Sequence, residues 1–222
     1  PLSVTVSQLT DDATALGKIV GSYTLTVSDA QTMNLTDLMS NSRVASMSVV
    51  DNAQNVQDHI SDLTTAATKI SSVKLSDSPA TLNLTYADWV ANQVALGKIS
   101  SDFSVSVTNV AAANALALGA NSTVSSISVN DSTANVRGSM DGLSTLLPKI
   151  ATIEVSDANT AAPMTMSVSQ YHSNAALLAK IAGASYALNI TGASVSQAQT
   201  LESDAQVTSF SVSDNSDNKI GR

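Results

Sequence analysis

Six aspartates stand at or just past the ends of short alternating stretches: Asp29, Asp51, Asp77, Asp131, Asp157 and Asp214. Carboxylates that recur at matching corners of a folded chain supply hard oxygen ligands, and the cation suited to them is calcium. Asp51, Asp131 and Asp214, together with Asp217 in the Asp214-Asn-Ser-Asp-Asn218 tail, are the candidate calcium ligands. An aspartate in such a place can instead end a strand and cap the following helix, accepting hydrogen bonds from its free amides. Capping is the favoured reading, because the chain has neither a Gly-rich calcium nonapeptide nor a helix–loop–helix calcium loop. No other cofactor is expected.

Catalysis has few residues to draw on. His59 and His172 are about a hundred residues apart, and neither has an adjacent nucleophile or a metal-spaced partner. Cysteine is absent, which removes disulfides, thiolate metal sites and a cysteine nucleophile together. Only three arginines occur, and no acid–base pair is clustered. The chain reads as a protein that is not an enzyme. Aromatic residues make up 3% of it, so a sugar-stacking patch would have to come from Tyr86, Trp89 and Tyr171. Trp89 falls at a helical apolar position, which suits a core better than a glycan site. With 18 acidic residues against 10 basic ones, there is no cationic footprint for nucleic acid or an anionic membrane. No run of eighteen apolar residues is present to form a membrane span.

The elements that would position these side chains repeat. Asp51-Asn-Ala-Gln-Asn-Val56 returns about eighty residues later as Asp131-Ser-Thr-Ala-Asn-Val136, and Leu16-Gly-Lys-Ile19 returns as Leu96-Gly-Lys-Ile99. Such periodicity implies units that share a core with their neighbours. The period divides further at Lys18-Ile19, Arg43-Val44, Lys69-Ile70, Lys98-Ile99, Thr123-Val124, Lys149-Ile150, Lys180-Ile181 and Gln206-Val207, in steps of 25 to 31 residues. Each pair is expected to open a strand in which apolar residues alternate with Ser or Thr. Leu25, Val105 and Leu188 form one inward column, and Val49, Val129 and Val212 another. Lysine in these pairs sits where a helix runs out, and there it complements the negative helix end.

Between strands the spacing turns helical. Val56, Ile60, Leu63 and Ala67 share one helix face, as do Val136, Met140, Leu143 and Leu147; Val90, Val94 and Ala95 continue the pattern, as do Ala176, Leu177 and Ile181. Each coil therefore reads as one strand and one helix, and a crossover of that length favours parallel pairing. The expected fold is an α/β solenoid, with a parallel sheet on one side and helices on the other. It is one continuous array over 1–222, with super-repeats of roughly 1–69, 70–149 and 150–222. Thr81–Thr85 and Met164–Val168 alternate like extra strands without a settled place in that scheme.

Val-Ser-Asp, then Thr-Ala-Asn-Val, Leu-x-x-Leu, Lys-Ile and another alternating strand resembles the tandem repeats of very large secreted bacterial surface proteins, of the adhesin or calcium-rich exoprotein type. The resemblance covers nearly the whole chain. It implies an extracellular, bacterial cell-surface location and a non-enzymatic role as a stalk, matrix or surface-layer element supporting adhesion. The implied partners are neighbouring repeats or further copies of the chain, with a glycan or host surface beyond them. Two alternatives stand beside this: a self-assembling filament subunit that stacks through uncapped ends, and a glycan-binding module. Pro1 stands directly before a strand and no signal peptide precedes it, which is the expectation for a processed or excised segment.

Overall fold

The alternating stretches form strands because side chains of period two present one apolar face to a core. The protein is described by a computed structural model over residues 1–157, 162–182 and 186–213. Among these residues the strands make three parallel sheets of three or four strands, with short helices between them. The chain is thus α/β and parallel, as the crossover lengths imply. Its strands are divided among three sheets, where the sequence suggests one. Two compact units are present, Pro1–Val107 and Thr108–Arg222.

The first unit begins with β1 (Leu2–Thr5), α1 (Val6–Asp11), α2 (Ala13–Gly17) and β2 (Leu25–Ala30). A 3-10 turn at Thr32–Asn34 leads into α3 (Leu35–Ser40), then β3 (Val44–Asp51), α4 (Ala53–Asp58), α5 (Ile60–Ala66) and β4 (Ile70–Leu75). After these come β5 (Ala80–Thr85), α6 (Tyr86–Ala91), α7 (Gln93–Leu96) and the start of β6 (Phe103–Val110). Strands β1 to β4 lie side by side in sequence order. Leu25, Val27, Met47, Val49, Ile70, Val73 and Leu75 fill the core beneath them. Their outward neighbours, among them Thr26, Ser46 and Ser48, are half-exposed, and Thr26 pairs with Ser46 across the sheet.

The second unit holds α8 (Ala112–Gly119), β7 (Val124–Asp131), α9 (Thr133–Gly138), α10 (Met140–Thr145) and β8 (Ile150–Val155). It continues with β9 (Met164–Ser167), α11 (Val168–Ser173), α12 (Ala175–Leu178), β10 (Leu188–Ala193), α13 (Val195–Glu202) and β11 (Val207–Val212). Here β7 pairs with β8, and β10 lies between β9 and β11. The extra alternating stretches are therefore full strands: β5 and β9 correspond to β1, and each opens a new set.

Several sequence expectations change. Most crossovers contain two helices, broken at Asp12, His59, Asn92, Ser139 and Asn174 with φ between −97° and −111° and ψ between 3° and 23°. A residue in that sparsely occupied bridge region ends the first helix and precedes the second. In α6–α7 the buried face differs from the expected stripe: Val90 and Val94 are exposed while Ala95 and Leu96 are buried, whereas Val56, Ile60 and Leu63 stay buried across the break at His59. Ala176 is exposed as well. Val212 lies on β11 at one edge of its sheet and is exposed, unlike Val49 and Val129 of its column. Finally, Lys18-Ile19, Lys98-Ile99 and Lys180-Ile181 do not open strands. Ile99 makes a single parallel bridge to Val73, and Ile181 makes one to Ile153, before the chain goes on to β6 and β10.

Two local signals explain why the elements start and turn where they do. Thr5, Thr85 and Ser167 cap α1, α6 and α11 by accepting from the amides of Gln8, Asp88 and Gln170. Asp29, Asn109 and Gly192 occupy one repeat position in β2, β6 and β10, with φ of 56°, 58° and 73°. Strand registers slip at two of them, between Val27 and Ala30 and between Ile190 and Ala193, as expected of a bulge closed by a left-handed residue. Asp, Asn and Gly are the residue types that tolerate this conformation. Asn109→Val is therefore expected to lower unfolding free energy by about 1–2 kcal/mol. Asn109→Gly should stay within roughly 0.5 kcal/mol of the parent in the same urea titration.

Candidate functional site

The strand-end aspartates reach back to the coil before their own. Asp51, at the end of β3, is 5% exposed. One carboxylate oxygen accepts from the Thr32 amide (2.9 Å) and the Thr32 hydroxyl (2.8 Å), at the start of the turn that leads into α3. The other accepts from the Asn52 amide (2.9 Å) and Asn55 Nδ2 (2.7 Å). Asp131 repeats the arrangement, accepting from the Ala112 amide at the head of α8 (2.9 Å), the Ser132 amide (2.8 Å) and Asn135 Nδ2 (2.7 Å). Asp77 accepts from the Ala53 amide (2.9 Å), and Asp157 from the Thr133 amide (2.7 Å) and hydroxyl (2.8 Å). The following helices α4 and α9 are capped by other residues, Asn52 and Ser132. Capping is the right chemistry, but the helix capped is the preceding one.

Two lysines complete the arrangement. Lys69 Nζ donates to the Met39 carbonyl (3.2 Å) and the Asn41 carbonyl (3.4 Å) at the C-terminal end of α3. Lys149 Nζ does the same to Gly119 (2.7 Å) and Asn121 (2.9 Å) beyond α8. Each of these helices thus carries a carboxylate at its amide end and an ammonium at its carbonyl end, which is the arrangement the helix dipole favours. Like the aspartates, the lysines serve the previous coil and not the helix they follow.

Charge state follows from these contacts. Burial works to raise the Asp51 pKa, but hydrogen bonds from Thr32, Asn55 and Asn52 outweigh it and hold the carboxylate below its usual range. Asp131 is likewise held low by Asn135, Ser132 and Ala112 against the effect of burial. The groups around the Asp51 carboxylate are N–H and O–H donors, a surrounding that competes with a cation for the same lone pairs. Among the described residues no three His, Asp or Glu side chains gather to hold a metal. Asp214, at the matching place in the sequence, and Asp217 lie outside the described residues.

The remaining candidates are dispersed. His59 sits at the break between α4 and α5, with Nδ1 2.9 Å from Asp62. His172 packs edge-on against Tyr171 at 5.4 Å between ring centroids. The Tyr171 hydroxyl donates to Asp204 (2.5 Å), a bond that pushes its pKa up to about 12. Tyr86 and Trp89 are half-buried on α6 in the first unit, and Tyr171 belongs to the second. A shallow cleft in the second unit is lined by Arg137, Met140, Asp141, Met166, Gln170 and Asn174. Arg137 there donates through Nε to the Thr165 carbonyl. No helix among the described residues is long and apolar enough to cross a membrane.

Because the folded-state pKa of Asp51 is depressed, its contribution is present above the unfolded-state value near 3.8 and is lost as pH falls through the lower folded value. Denaturant midpoints should therefore drop below about pH 4. Asp51→Asn should flatten part of that drop while lowering stability at pH 7 by about 1–3 kcal/mol, the order expected for hydrogen bonds to a charged group.

Comparison with sequence models of protein families, with curated proteins and with solved structures found no match.

Proposed function

We propose that this chain is an extracellular, bacterial surface repeat protein whose role is structural: a spacer, matrix or surface-layer element that supports adhesion and has no enzymatic activity. Its strand–helix coils would follow one another as a parallel α/β solenoid, with each coil serving as the template for the next.

The observation that carries this reading is the use of the polar side chains. Asp51, Asp77, Asp131, Asp157, Lys69 and Lys149, the residues most suggestive of ligand chemistry, all hold a neighbouring coil. Buried Asn92 and Asn174 do so as well, accepting from the hydroxyls of Thr64 and Ser144. Apolar burial between coils, worth about 25 cal/mol per Å², provides the bulk cohesion, and these polar contacts fix which coil meets which. An acidic chain rich in Ser, Thr, Asp and Asn and free of cysteine has a composition we associate with proteins exported by bacteria.

Negative-stain electron microscopy of the purified chain, with and without millimolar calcium, tests the reading. Discrete particles that calcium leaves unchanged are expected. Long uniform fibres would replace it with the filament-subunit reading, and calcium-dependent order would reinstate the aspartates as ligands.

A further inference from the structure

The first set of strands and helices has a face that its two later equivalents do not leave open. In β5, Leu82 and Leu84 are 0% and 3% exposed, and in β9 Met164 and Met166 are buried. The corresponding Leu2 of β1 is 40% exposed and Val4 is half-exposed. Ala95 and Leu177 are buried, whereas Ala15 is exposed. Val20 is 98% exposed.

What covers the later equivalents is the same in both units. In the first unit, the Asn83 amide of β5 donates to Gln57 of α4 (2.6 Å), and Asn92 accepts from Thr64 of α5 (2.8 Å). Residues 98–100 line the edge of β4, with the Val73 amide donating to the Lys98 carbonyl and the Ser100 amide to the Val73 carbonyl, both at 2.8 Å. In the second unit, Arg137 of α9 donates to Thr165 of β9, and Ser144 of α10 donates to Asn174. The Ile153 amide donates to Lys180 and the Ala182 amide to Ile153, again at 2.8 Å. Helix, helix and strand edge recur as one footprint.

We infer that the face formed by β1, α1–α2 and Lys18-Ile19-Val20 is a docking surface for the third coil of another repeat of this type, a strand–helix–helix–strand element like β3–α4–α5–β4. The incoming β4-like edge pairs with residues 18–20, and the α4-like helix covers Leu2 and Val4. The hydroxyl at the Thr64 position donates to Asp12, which stands where Asn92 and Asn174 stand and as a carboxylate accepts it. Within this chain the β3–β4 coil is already covered by β5 and residues 98–100, and the β7–β8 coil by β9 and residues 180–182, so the occupant we assign is the third coil of a further repeat. The inference rests on the repeat-array reading and names the partner that such an array requires.

Hydrogen exchange tests it in two steps. In the chain as it stands, amides at 2–5 and 19–20 should exchange at least tenfold faster than their equivalents at 82–85 and 99–100. Equal protection would overturn the inference. Duplicating residues 1–80 ahead of Pro1 places a third coil in phase, and the amides at 2–5 and 19–20 should then slow at least tenfold. Continued fast exchange in that longer chain would overturn the docking even where microscopy finds discrete, calcium-indifferent particles, so the two readings fail separately. Sedimentation of the parent chain at tens of micromolar should show monomer; self-association that protects residues 2–5 would make a second copy the occupant and overturn the assignment to a third coil.

Discussion

The structure depends on one device: a helix held at both ends by side chains that arrive later in the sequence. Asp51 closes the amide end of the Thr32–Ser40 segment and Lys69 closes its carbonyl end; Asp131 and Lys149 do the same for α8. Helices of six to eight residues are too short to persist on their own propensity. A buried helix end also leaves backbone groups that must be paired. The clamp answers both needs, and it is complete only when the following strand and helix are packed against it. The stability of these two helices is thereby coupled to the coil that follows each of them.

Packing tightens where the clamp acts. Gly119 ends α8 directly against Leu146, and an added Cβ would come within 2.6 Å of its side chain. The absent side chain lets the end of α8 approach the α10 segment closely, while Lys149 reaches the same carbonyl from the next strand. The β5–β6 and β9–β10 crossovers are built differently. Their two-part form, with Asn92 or Asn174 buried at the break, turns the polar break residue itself into the contact with the neighbouring coil. Buried amides of this kind are tolerable because their oxygens and nitrogens are satisfied, Asn92 by Thr64 and the Asp88 carbonyl.

Much of the fold is legible in the sequence, since a strand announces itself by alternation. Leu25, Val49, Val105, Val129 and Leu188 are buried as their columns imply. The eighty-residue shift aligns sheets as well as residues. The helices are harder to read, because the expected apolar stripe survives the break at His59 and not the one at Asn92. Nothing in Asn92 as a residue type distinguishes a break from a polar helix face, and so Val90 and Val94 look like core. The triplet Asp29, Asn109 and Gly192 carries a readable signal, because residues that tolerate positive φ recur at one repeat position. By type and place Asp29 groups with the strand-end carboxylates, although its position serves the backbone. For Asp51 and Lys69 the chemistry is legible and the partner is not: sequence adjacency points to the following or the flanking helix, while the contact is made 19 to 30 residues away.

The distribution of polar groups also constrains how such a protein can recognise anything. Asp51, Asp131, Lys69 and Lys149 face neighbouring coils, and most outward sheet positions carry short hydroxyls such as Ser46, Ser48 and Ser128, interrupted by Lys74 and Glu154. Single Ser and Thr contacts in water contribute little, because each exchanges one hydrogen bond for another. With Tyr171 bonded to Asp204 and Trp89 half-buried, no aromatic platform among the described residues concentrates affinity in one place. A surface of this kind gains affinity through repetition, where many weak sites held at fixed spacing raise the effective concentration of each next contact. Within each unit the clamps fix how one coil sits on the next, and the proposed adhesive role would draw on that regularity.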